Sequence, residues 1–477
     1  MRTVKLLWML FLIPLVVFAQ ERSLFQTDFP PSEFKERRDR VFEKIGNNAL
    51  ALLQGAPSVD GFKVFRQTNE FYYLCGVETP HAYLLLDGRN RKTTLYLPHR
   101  DEARERNEGK LLTAEDEDLV KTLTGVDQVF GVELLARHLR GYIIRPPGPV
   151  LYTPFSPSEG VAQSRDEHLS GLAGIASDPW DGRPSREGHF IELIRQRFPS
   201  FEIRDLSPIL DELRMIKSPR EIALIRRASE LAGLGLMEAM RSTRPGVYEY
   251  QLDAAARYVF LVNGARHEGY SSITAGGKNA WMGHYFHNAS QLRDGDMVLM
   301  DYAPDYRYYT SDVTRMWPVN GKYTTDQRTM AEIILAYRNA LLKRIKPGVT
   351  AQQVLDGARA EMEVVIKNTK FSKDYYRKAA EGMLTFRGHL SHPVGMTVHD
   401  VGTYWNGTFL KGHVFSVDPM LWVPEEQLYI RMEDVVAVTE TGVELFTDFV
   451  PSTPDEIEKA MKGEGIVQLR PPQQIKR

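Results

Sequence analysis

Two periods of apolar residues run through the first 200 residues. Short runs rich in β-branched, aromatic and aliphatic residues predict strands at Ala49–Leu53, Glu70–Cys75, Ala82–Leu86, Thr93–Leu97 and Val150–Tyr152. Helical spacing puts Phe34, Val41, Phe42 and Ile45 on one face of a helix starting at Ser32, and predicts helices around Leu119–Leu123 and Val132–Leu139. The Ser-, Gly- and Asp-rich stretch Ser156–Arg186 reads as a loop. The pattern predicts one mixed α/β domain over residues 32–205.

A second unit is predicted over residues 206–450. Ser207–Lys217 reads as the connection into it, and a helix opens next with Ser218 as N-cap, Pro219 in the first turn and Glu221 closing a capping box. Ile222, Ile225, Ala228 and Ala232 form its predicted buried face. RPGVYEYQLDAAA (Arg244–Ala256) is echoed by KPGVTAQQVLDGA (Lys346–Ala358). Either the two share common turn chemistry, or they mark a duplicated half-domain with a site where the halves meet. Residues 451–477 are polar and read as a short helix followed by a tail.

The densest chemistry in this unit begins at MVLMDYAPDYRYYTSDVTRMW (Met297–Trp317), which reads as two strands around a turn at Pro304–Tyr306. A hairpin centred between Tyr306 and Arg307 places Asp301 opposite Asp312, with Cβ atoms roughly 4.5–5.5 Å apart. Carboxylates that close repel unless protonated or neutralised by cations, and a pair of divalent metals suits them; the alternative is two unrelated aspartates at strand ends. GHLSHPVGMTVHDVG (Gly388–Gly402) then holds His389, His392 and His399, with Asp400 placed to orient the His399 ring. Asp418 and Glu433 sit at strand-like positions, and Arg431 shares a face with Glu433, as an ordinary ion pair would. His284 follows the Gly276-Gly277 turn. That turn continues as Lys278-Asn279, which excludes a phosphate-binding P-loop.

Composition narrows the partners and the compartment. With 60 Lys+Arg against 62 Asp+Glu, nothing points to nucleic acid. Arg2 and Lys5, the apolar run Leu6–Phe18 and the small-residue site before Gln20 form a signal-peptide layout over residues 1–19, predicting a secreted or periplasmic protein with no membrane attachment after cleavage. The single cysteine, Cys75, reads as a buried hydrophobe.

Taken in order, these acids and histidines resemble the metallopeptidases of the pita-bread fold, in particular Xaa-Pro aminopeptidase (aminopeptidase P) and prolidase. The resemblance rests on IKSPREIALIRRA, HEGYSSITAGGKNA with its following His284, the Met297–Trp317 segment with its continuation PVNGKYT, SHPVGMTVHDVG and RMEDVVAVTETG. VFRQTNEFYYLCGVETP adds the N-terminal domain, so that most of residues 32–450 is covered. It implies an α/β (α+β) chain with an aminopeptidase P-type N-terminal domain and a pita-bread catalytic domain. It also implies two divalent metal ions, usually manganese, with cobalt, zinc or iron accepted by the same donors. Asp301 would hold one metal, Asp312 and Glu433 would bridge, and His392 and Asp418 would complete the second. His284 and His399 would contact the substrate carbonyl and oxyanion, and Arg431 would steady the carboxylates. The expected partners are proline-containing peptides, and a homo-oligomer is expected. Two departures stand out. The family's usual Glu-Pro-Gly is Asp418-Pro419-Met420 here, one methylene shorter. Thr403–His413 lacks the arginine with which prolidases grip a dipeptide carboxylate, which favours an aminopeptidase over a dipeptidase; a non-catalytic peptide-binding relative is the third reading.

Overall fold

The computed structural model describes residues 24–472, apart from 60, 145–149, 161–162 and 406. The proposed signal segment therefore lies outside the described residues. The first unit contains α1 (Pro31–Ile45), β1 (Ala49–Gln54), α2 (Asn69–Cys75), β2 (Tyr83–Asp87), β3 (Lys92–Leu97), α3 (Glu102–Glu108), α4 (Glu117–Thr124), β4 (Gln128–Gly131), α5 (Leu135–Ile143), β5 (Val150–Thr153), α6 (Arg165–Ser177), α7 (Arg186–Arg197), β6 (Glu202–Asp205) and α8 (Ser207–Met215). Its strands form one mixed sheet in the order β4-β3-β2-β1-β5-β6. Alternation along β1 explains the layers. Ala49, Ala51 and Leu53 pack with α1, α2 and α4, whereas Leu50 and Leu52 face α5 and α7.

Three expectations fail here for physical reasons. Glu70–Cys75 is helical, not extended. The segment has no β-branched residue, every side chain in it is buried, and Gly76 caps it at φ +66°, where an added Cβ would meet the Phe34 ring at 2.5 Å. Ser156–Arg186 contains α6, whose Ser164 side chain accepts a hydrogen bond from the Glu167 amide. The presumed connection Ser207–Lys217 is largely α8, with Pro208 in its first turn.

The second unit opens with α9 (Pro219–Ser242), on which Ser218 and Glu221 form the predicted capping box, and α10 (Glu249–Val262). Next come β7 (His267–Glu268), β8 (Ile273–Gly276), β9 (Met297–Asp301), β10 (Pro304–Asp305) and β11 (Thr314–Pro318). A second set of the same kind follows: α11 (Thr325–Leu342), α12 (Ala351–Asn368), α13 (Asp374–Met383), β12 (Leu390–Pro393), β13 (Val414–Val417), β14 (Met420–Val423), β15 (Leu428–Arg431), β16 (Asp434–Val438) and β17 (Val443–Leu445). The echoed Pro-Gly-Val turns occupy equivalent places before α10 and α12. Gly246 N donates to Leu292 O and Leu292 N to Val247 O (2.9 and 2.8 Å); Gly348 N donates to Phe409 O and Phe409 N to Val349 O (3.0 and 2.8 Å). The echo is thus a structural repeat. The sheets β11-β9-β8 and β12-β13-β16-β17 meet where the amides of Thr314 and Glu433 each donate to the other's carbonyl (3.2 and 3.1 Å).

The hairpin register differs from the sequence reading. Asp301 pairs with Thr314, and the turn centres on Arg307-Tyr308, both at positive φ (+55° and +74°), closed by two hydrogen bonds between Tyr306 and Tyr309. That is the backbone of a two-residue hairpin turn usually filled by Asn-Gly. The first unit holds it in place: Tyr308 stacks on Tyr72 at 3.5 Å, its hydroxyl accepts from Gln67 N (2.9 Å), and Arg66 Nε donates to Asp305 Oδ2 (2.7 Å).

The units are also joined by charge. Asp400 accepts from Arg214 Nη2 (2.7 Å) and Lys217 Nζ (3.0 Å), all three buried. Burial opposes its ionisation, but Lys217 and Arg214 outweigh that and hold its carboxyl down to about 2. Arg214→Met should lower the unfolding free energy by about 3–5 kcal/mol in urea titrations near neutral pH, because it strands Asp400, Glu70 and Glu159 in the interior. The Asp400 contribution is complete above its unfolded value near 3.8 and is lost as pH falls through about 2. The stability gap between the wild type and Asp400→Asn should therefore narrow across that interval.

Candidate metal centre

The seam between the two sheets gathers most of the predicted residues. Asp301 ends β9, Asp312 lies in the extended segment before β11, and Glu433 sits in the Thr314 bridge. Asp312 does not face Asp301 across the hairpin, yet the two side chains meet: Tyr270 Oη lies 2.5 Å from Asp301 Oδ1 and 2.9 Å from Asp312 Oδ1. One hydroxyl proton cannot serve both. Arg431 fans its guanidinium over the group, with Nε on Asp418 Oδ1 (2.8 Å), Nη1 on Asp301 Oδ2 (2.5 Å) and Nη2 on Glu433 Oε2. Thr314 Oγ1 also donates to Glu433 Oε2 (3.0 Å), and Glu433 Oε1 has no partner.

The charge does not balance. Of four buried carboxylates, Asp301, Asp418 and Glu433 share one guanidinium, and Asp312 makes no ion pair with it. Burial pushes Asp312 well above the carboxylate range, with Asp301 adding to it, and burial does the same to Glu433. Asp418 is also raised, chiefly by burial. Burial acts on Asp301 in the same sense, but Arg431 brings it below its ordinary value.

Two imidazoles sharpen the picture. His392 Nδ1 lies 3.2 Å from Pro393 O, and a carbonyl only accepts, so Nδ1 carries the proton. The Nε2 lone pair then faces Asp312 Oδ2 at 3.1 Å, a contact that repels unless a cation lies between. Burial lowers the His392 pKa, and lowers that of His399 to about 4 with His392 adding to it, so neither ring supplies that cation by protonation at neutral pH. His399 packs against His392 with ring centroids 3.8 Å apart and the rings tilted by 33°. Its Nδ1 is 3.0 Å from Asp166 Oδ1 on α6.

Among the described residues, two sets place ligand atoms within 4.8 Å of one another: Asp301, Asp312 and Glu433, and Asp312, His392 and His399. Asp312 belongs to both. Oxygen-rich donors, an unpartnered buried oxygen and a neutral nitrogen facing a carboxylate fit divalent cations. Asp418 joins neither set and rests on Arg431. His284 stands at the cleft mouth, half exposed, its Nδ1 4.0 Å from Glu167 Oε1. Asp400 does not orient His399, since Arg214 and Lys217 occupy it; Asp166 makes that contact instead. His389 is buried against Met383 O and takes no part. Tyr270 and Thr314 were not singled out from sequence, although both lie inside the motifs quoted for the family resemblance.

The sequence profile of Metallopeptidase family M24 matches residues 223–440, and that of the aminopeptidase P N-terminal domain matches residues 34–151. The chain is 31% identical over 450 residues to the Xaa-Pro aminopeptidase of Escherichia coli K12, covering 90% of this chain and 97% of that protein. This chain belongs to the aminopeptidase P family of M24 metallopeptidases. Aminopeptidase P from E. coli, solved with the inhibitor Pro-Leu, superposes with a TM-score of 0.73 at 29% identity over 91% of this chain and 99% of that one. A putative aminopeptidase P from Bacillus anthracis shares the fold, with a TM-score of 0.77 at 23% identity over 92% and 100%. All eight predicted site residues fall within the M24 match, whereas residues 152–222, including α6, lie outside both profiles.

In the metal-free protein, Glu433→Gln removes one of the crowded charges while keeping the shape. Because burial raises the Glu433 pKa, the wild type loses stability as pH rises from the unfolded value near 4.5 towards that raised pKa. Thermal unfolding in excess chelator should show Glu433→Gln more stable than wild type by about 1 kcal/mol, the difference growing as pH rises from about 4.5. Added metal should stabilise the wild type and leave the variant unmoved.

Proposed function

We propose that this chain is an exported aminopeptidase that releases the N-terminal residue from Xaa-Pro-Yaa peptides with two divalent metal ions, manganese in particular. The observation that carries this reading is the excess of buried carboxylate at the seam, with two neutral imidazole nitrogens turned into it, in a chain of this family. Asp301, Asp312, Glu433 and His392 would hold the ions, with Asp418 beside them. Bound there, two divalent cations lower the pKa of water towards neutrality and polarise a carbonyl.

The remaining work falls to the chain. Arg431 keeps Asp301 ionised and aligns Asp301, Asp418 and Glu433. Asp418 is the carboxylate placed to accept the proton of the attacking water and return it to the proline nitrogen, which leaves as a secondary amine. Being shorter than the family's glutamate, it performs that transfer less efficiently. His284 faces the cleft as a donor to the carbonyl oxygen. His399 commits its Nδ1 proton to Asp166, so its Nε2 acts there as an acceptor, and donates to an oxyanion only once protonated.

The absence of arginine in Thr403–His413 favours tripeptides and longer substrates over dipeptides. With purified mature chain and manganese, Xaa-Pro-Yaa peptides should be cut at least about tenfold faster than Xaa-Pro dipeptides; the reverse order would make the chain a prolidase. Tight metal with no cleavage of either would make it a binding protein. Asp418→Ala should lower kcat by about 10²–10⁴, and unchanged turnover and metal content would remove its role. Export is supported by the layout of residues 1–19, and N-terminal sequencing of the exported protein should begin at Gln20.

A further inference from the structure

The cleft above the carboxylates has a volume of about 580 Å³, and one wall of it is α6. This helix lies in the stretch between the two family profiles, so its sequence belongs to this chain rather than to the matched pattern. Its cleft-lining positions 168, 171, 172 and 175 recur at the three- and four-residue spacing of one helical face. Leu172 and Ile175 on that face are half-buried and belong to none of the three hydrophobic cores. Across the same cleft stand Ile273, Phe286 and Val398. On the same face, just before Leu172, lies Gly171, where an added Cβ meets nothing within 4 Å.

The helix is fixed at one end only. Arg165, the only buried residue of α6, donates its amide to His399 O (3.2 Å), and its guanidinium pairs with Asp211 and Glu159 (3.0 and 3.2 Å). Asp166 holds His399 Nδ1. Anchoring at the metal-centre end sets the aliphatic face over the open side of the cleft, where it has no packing partner of its own.

We propose that α6 is a specificity-determining wall, contributed by the same chain, which together with Ile273, Phe286 and Val398 forms a subsite for an aliphatic or aromatic side chain of a residue flanking the proline of the peptide. This rests on the proposed peptidase function for its reaction, though not for its binding. The occupant is a substrate side chain because the apolar face is continuous with the carboxylate centre and opens nowhere else onto a core. A charged side chain set against Leu172, Ile175, Ile273, Phe286 and Val398 would lose hydration that these side chains cannot replace.

Two peptide series test it: Leu-Pro-Ala against Lys-Pro-Ala, and Ala-Pro-Leu against Ala-Pro-Lys. At one of these positions the wild type should prefer leucine by about tenfold or more in kcat/KM. Leu172→Ala combined with Ile175→Ala should reduce that preference to within about threefold, through KM, with kcat for Ala-Pro-Ala unchanged. Gly171→Phe should fill the subsite and raise KM for the leucine peptide, while Ala173→Phe on the opposite side of the helix should not. These positions are half-buried or exposed and lie outside the three hydrophobic cores, so they carry little of the fold, and unchanged melting and metal content check that. No wild-type preference, a preference that survives the double substitution, or wild-type kinetics in Gly171→Phe would overturn the proposal. If the wild type cleaves no Xaa-Pro peptide, the function reading fails, and calorimetric binding of the same two peptide series decides α6 alone. A leucine preference in binding that the double substitution erases supports the wall, and one absent in both series or left intact overturns it.

Discussion

An excess of buried negative charge at one seam governs this structure. Glu433 and Asp434 are neighbours in sequence and both fully buried, yet they are treated in opposite ways. Asp434 is saturated, taking Arg315 at 2.7 Å, Arg338 at 2.6 Å and the Thr447 hydroxyl. Glu433 has one oxygen on Arg431 and Thr314 and another on nothing. A chain able to neutralise Asp434 so thoroughly leaves Asp301, Asp418 and Glu433 to share a single guanidinium. Buried charge left unpaired is costly, and it persists where something else neutralises it or where function requires it.

The first unit takes part in holding that seam. Its Arg66, Gln67 and Tyr72 grip the turn between Asp301 and Asp312, while Arg214 and Lys217 hold Asp400, next to His399. Both clamps are buried and hydrogen-bonded, so they set the positions of loops that would otherwise be free to move. The two halves of the second unit supply the rest, since the repeated helix–turn–strand pattern brings Asp301 and Asp312 from one half against His392 and Glu433 from the other. The centre exists only where the halves meet.

Much of this was legible in the sequence because local signals agreed with the fold. The Ser218–Glu221 capping box, the Pro-Gly-Val echo and the order of acids and histidines each mark what they position. The failures have physical causes. Arg307-Tyr308 adopts a turn that normally advertises itself with Asn-Gly, so the register was misjudged by one residue at the centre, and Asp312 was placed opposite Asp301. The aromatic run of α2 carries no readable period. Gly171 and Gly174 masked α6, although Ser164 and Glu167 hold the spacing of a helix start. Asp400 was misassigned because its partners, Arg214 and Lys217, lie more than 180 residues upstream, where no periodicity reaches.

The most direct test of the central claim is a calorimetric titration of the chelator-stripped protein with manganese, checked by elemental analysis of the isolated complex. Two ions per chain, with binding lost in Asp312→Ala because that carboxylate belongs to both ligand sets, is the predicted result. Failure to bind any divalent metal, or binding that Asp312→Ala leaves intact, would contradict it.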